Sequence, residues 1–109
     1  MREAPALSSN CIALSGTAYS LPEIRFSPAG IPISRFLLEH RSEQEEVKLK
    51  RAVFCRVLII ACGDELAAIL KSVQVGTPLK VIGFLNRAVS RKHTYQLVIH
   101  AKSIDMLPS

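Results

Sequence analysis

The stretch LSGTAYSLPEIRFSPAGIPISRFLLEHRSEQEE, residues 14–46, decides the fold of this chain. It holds two runs rich in Ile, Phe and Leu, joined by Ser27-Pro28-Ala29-Gly30. Pro28 presets φ at the second position of a turn and Gly30 relaxes the fourth, so the chain reverses tightly there. Residues 24–26 run extended into the turn, and residues 31–40 form the returning strand. Beyond it the composition changes abruptly to charged residues.

Upstream, residues 10–20 alternate, with Ile12, Leu14 and Gly16 facing one way and Ala13 and Ser15 the other. A glycine inside a strand points to a bulge or a sharp bend, a common need where a small barrel closes. Residues 1–8 carry no periodic pattern and are expected to be a flexible N-terminal tail, leaving 9–109 as the domain. Downstream, residues 41–51 are the most polar segment, with Glu43, Gln44, Glu45 and Glu46 followed by Lys48, Lys50 and Arg51. They read as a solvated loop or a short exposed helix, because no apolar face would hold them in a core. Residues 52–62, AVFCRVLIIAC, read as a strand buried on much of both faces.

Gly63-Asp64-Glu65 then opens the one helix the pattern supports. Asp64 is placed to cap it, and Leu66, Ile69, Leu70 and Val73 repeat at helical spacing. The helix ends by Gly76, and Pro78 keeps it from resuming. Leu79, Val81, Gly83 and Leu85 alternate as a fourth strand, and Tyr95, Leu97, Ile99 and Ala101 as a fifth. Residues 86–94 connect them and carry Arg87, Arg91, Lys92 and His93. The order is strand, strand, strand, helix, strand, strand. Periodicity alone leaves a five-stranded barrel as one of several β-rich arrangements.

A chain of 109 residues with 49% hydrophobic residues makes one domain with a packed core. No apolar run approaches the ~18 residues that span a bilayer. The opening MREAPALSSN is too short and too weakly apolar for a secretory signal, so a soluble cytoplasmic protein is expected. The balance of 14 basic and 9 acidic residues, a formal net charge of +5, allows attraction to a polyanion without proving it. Cys11, Cys55 and Cys62 are odd in number and suggest no disulfide framework; they read as small apolar residues in or near the core. Cys55 and Cys62 point to opposite faces of their strand, and His40, His93 and His100 are scattered, so no metal site is expected. Glycine-rich phosphate loops and nucleophile elbows are missing, and the acidic run has nothing apolar beside it to shift its pKa values. The chain reads as a non-enzyme without cofactor.

Three blocks carry a family resemblance: LSGT at 14–17, SP-x-GIP at 27–32 and LEHRS-x-QEE at 38–46. They resemble the primosomal replication protein N (PriB) family of single-stranded DNA-binding OB-fold proteins. The later segments VGTPLKVIGFL and LVIHAKSID fit the same family. The resemblance implies an all-β fold, a five-stranded OB-fold barrel with one short helix between strands 3 and 4. It also implies a homodimer that binds single-stranded DNA in replication restart, with the PriA helicase and DnaT as partners.

Single-stranded nucleic acid needs cations along its phosphates and flat side chains for its unpaired bases. The candidate cations are Arg25, Arg41, Lys48, Lys50, Arg51, Arg87, Arg91 and Lys92, and the candidate platform is Phe54. Lys48 and Lys50 follow Glu43, Glu45 and Glu46, so neutralisation within their own segment is the competing reading. Phe54 sits in an apolar run and serves equally well as core, while Phe26 and Tyr95 read as structural. By the resemblance, Arg25 and Arg41 match basic contact positions of the family. Phe54 matches a position where the best-known members carry tryptophan, which gives a smaller platform with no indole N–H. Leu49 stands where an aromatic is expected, and Val89 and Gln96 stand where the family often has lysine. A protein-interaction scaffold with weakened DNA binding and an RNA-binding OB module are the alternatives.

Overall fold

The computed structural model describes residues 8–88 and 96–108. The elements run in the order β1 (Ile12–Ala18), β2 (Glu23–Phe26), β3 (Pro32–Glu46), β4 (Leu49–Cys62), α1 (Asp64–Leu70), β5 (Pro78–Arg87) and β6 (Leu97–Met106). The sheet order is β1-β5-β6-β4-β3-β2, and an additional β1–β3 pairing closes the first five of these strands into a barrel. The barrel is antiparallel except where β4 meets β6 in parallel. The short β2 lies outside it, as the hairpin partner of β3. The helix therefore follows the third of the five barrel strands, as the pattern predicts.

The β2–β3 turn forms as its composition requires. The Gly30 N–H donates to the Ser27 carbonyl at 2.8 Å, and the Ser27 N–H donates to the Ile31 carbonyl at 2.9 Å. The Ser27 hydroxyl accepts a further bond from the Ile31 N–H at 3.1 Å, fixing the strand exit.

Barrel closure depends on β1 serving two partners. Residues Ile12 to Thr17 pair with β5, and Thr17 and Ala18 pair with Glu39 and Leu38 of β3. Gly16 stands at that changeover, where a Cβ would collide with the Glu39 carbonyl oxygen. It marks a close crossing, while the register shift that bends a strand lies between Ile82 and Gly83 of β5. There too a Cβ, on Gly83, would collide with backbone, the His100 carbonyl.

Alternation sends Phe36 and Leu38, Ile59 and Ala61, and Leu79 and Val81 into the barrel, and Ile99 and Ile104 of β6 both join them because the extra residue Lys102 shifts the alternation between them; all are buried. Leu66 and Leu70 of α1, with Val73 just beyond it, join the same cluster and cover it from one end. Asp64 is the first helical residue and not its cap; Gly63 holds the cap position at φ 107° with no side-chain hydrogen bond. A glycine reaches that backbone conformation freely, so the aspartate is carried one position inward and contributes only its charge to the first turn.

Residues 41–51 are neither loop nor helix. They are the far ends of β3 and β4, paired without interruption from Arg41↔Phe54 to Glu46↔Leu49. Val47 and Lys48 make the reversal between them, both at positive φ, 50° and 63°. Two such residues in succession are the signature of a type I′ two-residue turn. This arm projects past the barrel and buries neither face, which is why it carries no apolar alternation.

Two smaller expectations change as well. Cys11 and Cys62 are exposed and only Cys55 is half-buried, since each of the exposed pair lies at a strand end outside the core. Phe26 is 70% exposed on β2, where with Ile24 it lines an open cavity facing α1 instead of packing in the core. The segments 1–7 and 89–95 lie outside the described residues, and with them the tail, Arg91, Lys92, His93 and Tyr95.

Candidate nucleic-acid interface

The pleat divides the residues of β3 and β4 between two faces. Ser34, Phe36 and Leu38 point inward, so Arg35, Leu37, Glu39 and Arg41 point outward. Directly opposite these four lie Ile60, Leu58, Arg56 and Phe54 of β4, again on the outer face. The outer face thus carries an aliphatic patch near the barrel middle and a charged, aromatic strip toward the projecting arm.

That strip is organised around one carboxylate. Arg56 Nε donates to Glu39 Oε2 at 2.9 Å, and Arg41 Nε lies 3.6 Å from Glu39 Oε1. The Arg41 guanidinium sits 4.4 Å from the centre of the Phe54 ring, and that of Arg56 sits 5.3 Å from it. Arg56 also covers Tyr19 at 3.8 Å, where the chain leaves β1. All three ring distances lie within the range in which a cation is held by the negative face of a ring. Phe54 is 50% exposed and Tyr19 45%, so each ring keeps surface for a further flat group. The backbone beneath is fixed by His40, whose Nδ1–H donates to the Ser15 carbonyl at 2.6 Å while Nε2 lies 2.8 Å from the Ser42 hydroxyl. The first bond ties β3 to β1 immediately beside Arg41, and the second braces the His40 ring along β3.

The sequence-derived cations distribute unevenly over this geometry. Arg41 and Phe54 stand side by side across the β3–β4 ladder. Lys50 shares their face farther out on the arm, where it lies 3.8 Å from Glu43. Arg51 takes the opposite face of the arm and bonds Glu46 at 2.8 Å. Lys48 occupies the turn itself. Arg25 is exposed on the outer face of β2 opposite Ile33, roughly 26 Å from Arg41 measured along β3 at about 3.3 Å per residue. Arg87 is exposed at the end of β5, opposite Leu97 and on the other side of the pleat from Phe84. The structure therefore joins Arg41, Phe54 and Lys50, and keeps Arg25, Arg51 and Arg87 apart from them.

Two functional candidates escaped the sequence reading. Arg56 is the single charged residue in the apolar run 52–62, an available signal that the face could not stay apolar. Tyr19 gave no local signal, because its proximity to Arg56 arises only when β1 closes onto β3. Among the described residues no group of three or more His, Cys, Asp or Glu is arranged to hold a metal ion. Among the same residues no helix is long and apolar enough to cross a membrane.

Five closed strands with a helix after the third define an OB-fold barrel, the architecture that many single-strand binding proteins use. Comparisons with known proteins agree. A family described as "another single-strand binding protein family" matches residues 10–103. The replication restart protein PriB of Photorhabdus laumondii is 41% identical over 103 residues, covering 94% of this chain and 98% of that one. The solved PriB structure from Ralstonia solanacearum aligns with a TM-score of 0.77 at 28% identity, covering 93% of this chain and all (100%) of the other. An SSB complex with ssDNA from Plasmodium falciparum aligns with a TM-score of 0.76 at 17% identity, covering 99% and 100% of the two chains, a likeness of fold alone. The chain belongs to the replication restart protein PriB family.

Proposed function

We propose that this protein is a non-enzymatic, cytoplasmic accessory factor of replication restart that binds single-stranded DNA through the outer face of β3 and β4. The observation that carries the reading is the strip of Arg41, Phe54, Arg56 and Tyr19, which sets exposed rings beside cations on one open surface. Phosphates find guanidinium groups there, and bases find aromatic faces. Lys50 and Lys48 add charge farther along the arm, and Arg25, Arg51, Arg87, Arg91 and Lys92 are further candidate cations for a longer strand. Phosphate neutralisation and stacking need no readout of base edges in a groove, so sequence preference is weak. The unit is the domain of residues 9–109, acting as a homodimer, with the PriA helicase and DnaT as the partners that family membership suggests.

Fluorescence anisotropy of a labelled oligothymidine at two salt concentrations tests this. Affinity falls steeply with salt, by about 0.7 log units per log unit of salt for each phosphate neutralised on a single strand. Salt-independent binding, or a preference for duplex, refutes the reading. A matched RNA strand competes poorly if DNA is the ligand, and competes equally if the module is an RNA binder.

One observation favours a second reading, a scaffold whose DNA contacts are weakened. The ion pairs Lys50–Glu43 and Arg51–Glu46 neutralise the arm within itself. Alanine at Arg25, Arg41 and Phe54 together separates the two readings. Helicase stimulation that survives the loss of DNA binding supports the scaffold.

A further inference from the structure

We infer that Glu39 sets the strength of the DNA-binding face, holding Arg41 and Arg56 in competition with phosphate. This inference rests on the single-stranded DNA reading and deepens it. Glu39 is the only residue whose side chain touches two of the strip's cations among the described ion pairs. Each of its two oxygens faces a separate guanidinium, one at 3.6 Å and one at 2.9 Å. Its side chain is only 17% exposed, against 71% for Arg41 and 43% for Arg56. The ladder pairs Glu39 with Thr17 on one side and Arg56 on the other, so its backbone is held between two strands while the side chains of its ion-pair partners stay partly free.

The two arginines are not equivalent. Arg56 makes the shorter bond and sits over the Tyr19 ring at 3.8 Å, so it is clamped from both sides. Arg41 makes the longer contact and is the more exposed, so it is the one that a phosphate draws away first. Three charges on the strip amount to one net positive charge instead of two. An incoming strand therefore releases fewer counterions than two arginines would allow, and it must displace an existing ion pair for each cation it recruits. Glu39 acts through its arginines and is a positioning residue.

Full-length protein is titrated against labelled oligothymidine across a salt series, as wild type, Glu39→Gln, Glu65→Gln and Glu39→Gln/Arg41→Met. Glu65 lies exposed in the first turn of α1, so its substitution removes the same charge away from the strip. Each pair of this exposure is worth about a 1.4- to 5-fold change in an equilibrium constant. Glu39→Gln is therefore expected to bind about three- to tenfold more tightly at low salt, with a salt slope steeper by about 0.7 for each arginine that gains a phosphate. Glu65→Gln shifts affinity by less than about twofold. The double variant loses most of the gain. Wild-type binding with an unchanged or weaker Glu39→Gln overturns this inference alone. Absence of any wild-type binding overturns the proposed function and the inference with it. If Glu39→Gln melts markedly lower, Glu39→Asp replaces it, because the shorter arm keeps the charge but cannot reach both guanidinium groups. A folded Glu39→Asp that binds no tighter than wild type also overturns the inference.

Discussion

Phe54 offers the sharpest test of how the strip works. A base that stacks on an exposed aromatic ring gains roughly 1–3 kcal/mol. Here the ring is already attended by the Arg41 guanidinium at 4.4 Å, a contact worth about 0.5–1 kcal/mol at an exposed site. A base taking that face displaces the arginine, so the net gain falls to roughly 0.5–2 kcal/mol, about two- to thirtyfold in affinity. Phe54→Ala is expected to weaken oligothymidine binding by that factor. Phe54→Trp enlarges the platform while leaving the cations in place, and is expected to tighten binding. Neither variant alters the number of phosphates neutralised, so both keep the wild-type salt slope. Anisotropy across a salt series reads both quantities, and a thermal melt reports whether the half-exposed ring was needed for folding. A Phe54→Ala protein that melts normally and binds within twofold of wild type refutes the stacking role. A changed slope with unchanged affinity at low salt would show that Phe54 acts through Arg41 instead.

Stability can be probed at three other places. Val47 is 90% exposed and held at φ 50°, a conformation costing a non-glycine residue about 1–2 kcal/mol, so Val47→Asn with Lys48→Gly is expected to raise the melting temperature by several degrees in calorimetry. Gly16→Ala drives a methyl group into the Glu39 carbonyl, and urea unfolding is expected to show a loss of about 1–3 kcal/mol or more. Ser34 is fully buried with its hydroxyl unpartnered among the described residues, so Ser34→Ala is expected to be neutral or to stabilise by about 1 kcal/mol in the same assay.

The strands of the barrel were legible because most of them obey a local rule, while their closure into a barrel came from the family resemblance. Ile12 and Leu14, Phe36 and Leu38, and Leu79 and Val81 alternate so regularly that their inward faces follow from the sequence. The Ser27–Gly30 reversal carries its own turn chemistry. The arm formed by residues 41–51 was not legible, for an equally physical reason. It stands free of the barrel, so both of its faces are polar, and its turn uses Val47-Lys48 in place of the usual Asn-Gly. The site divides in the same way. Arg41 and Phe54 stand out by residue type, yet their partnership with Glu39, Arg56 and Tyr19 depends on cross-strand register. The pairings Thr17↔Glu39 and Glu39↔Arg56 bring three distant segments into one row, and no window of sequence contains all three.

The closure of the barrel by β1 also orders its assembly in time. The pairings of β1 with β5 join residues about sixty to seventy positions apart, from Ile12↔Gly83 to Thr17↔Pro78. The β3–β4 ladder instead zips outward from a two-residue turn, from Glu46↔Leu49 to Ile33↔Cys62. Short loops close at smaller entropic cost than long ones, so the hairpin is available early and the β1 seam is the slow, late event. Phe54, Arg41, Glu39 and Arg56 all belong to the early element, and Tyr19 joins them only with the seam. A lesion at Gly16 therefore slows the final closure while leaving the ladder that aligns the cations able to form.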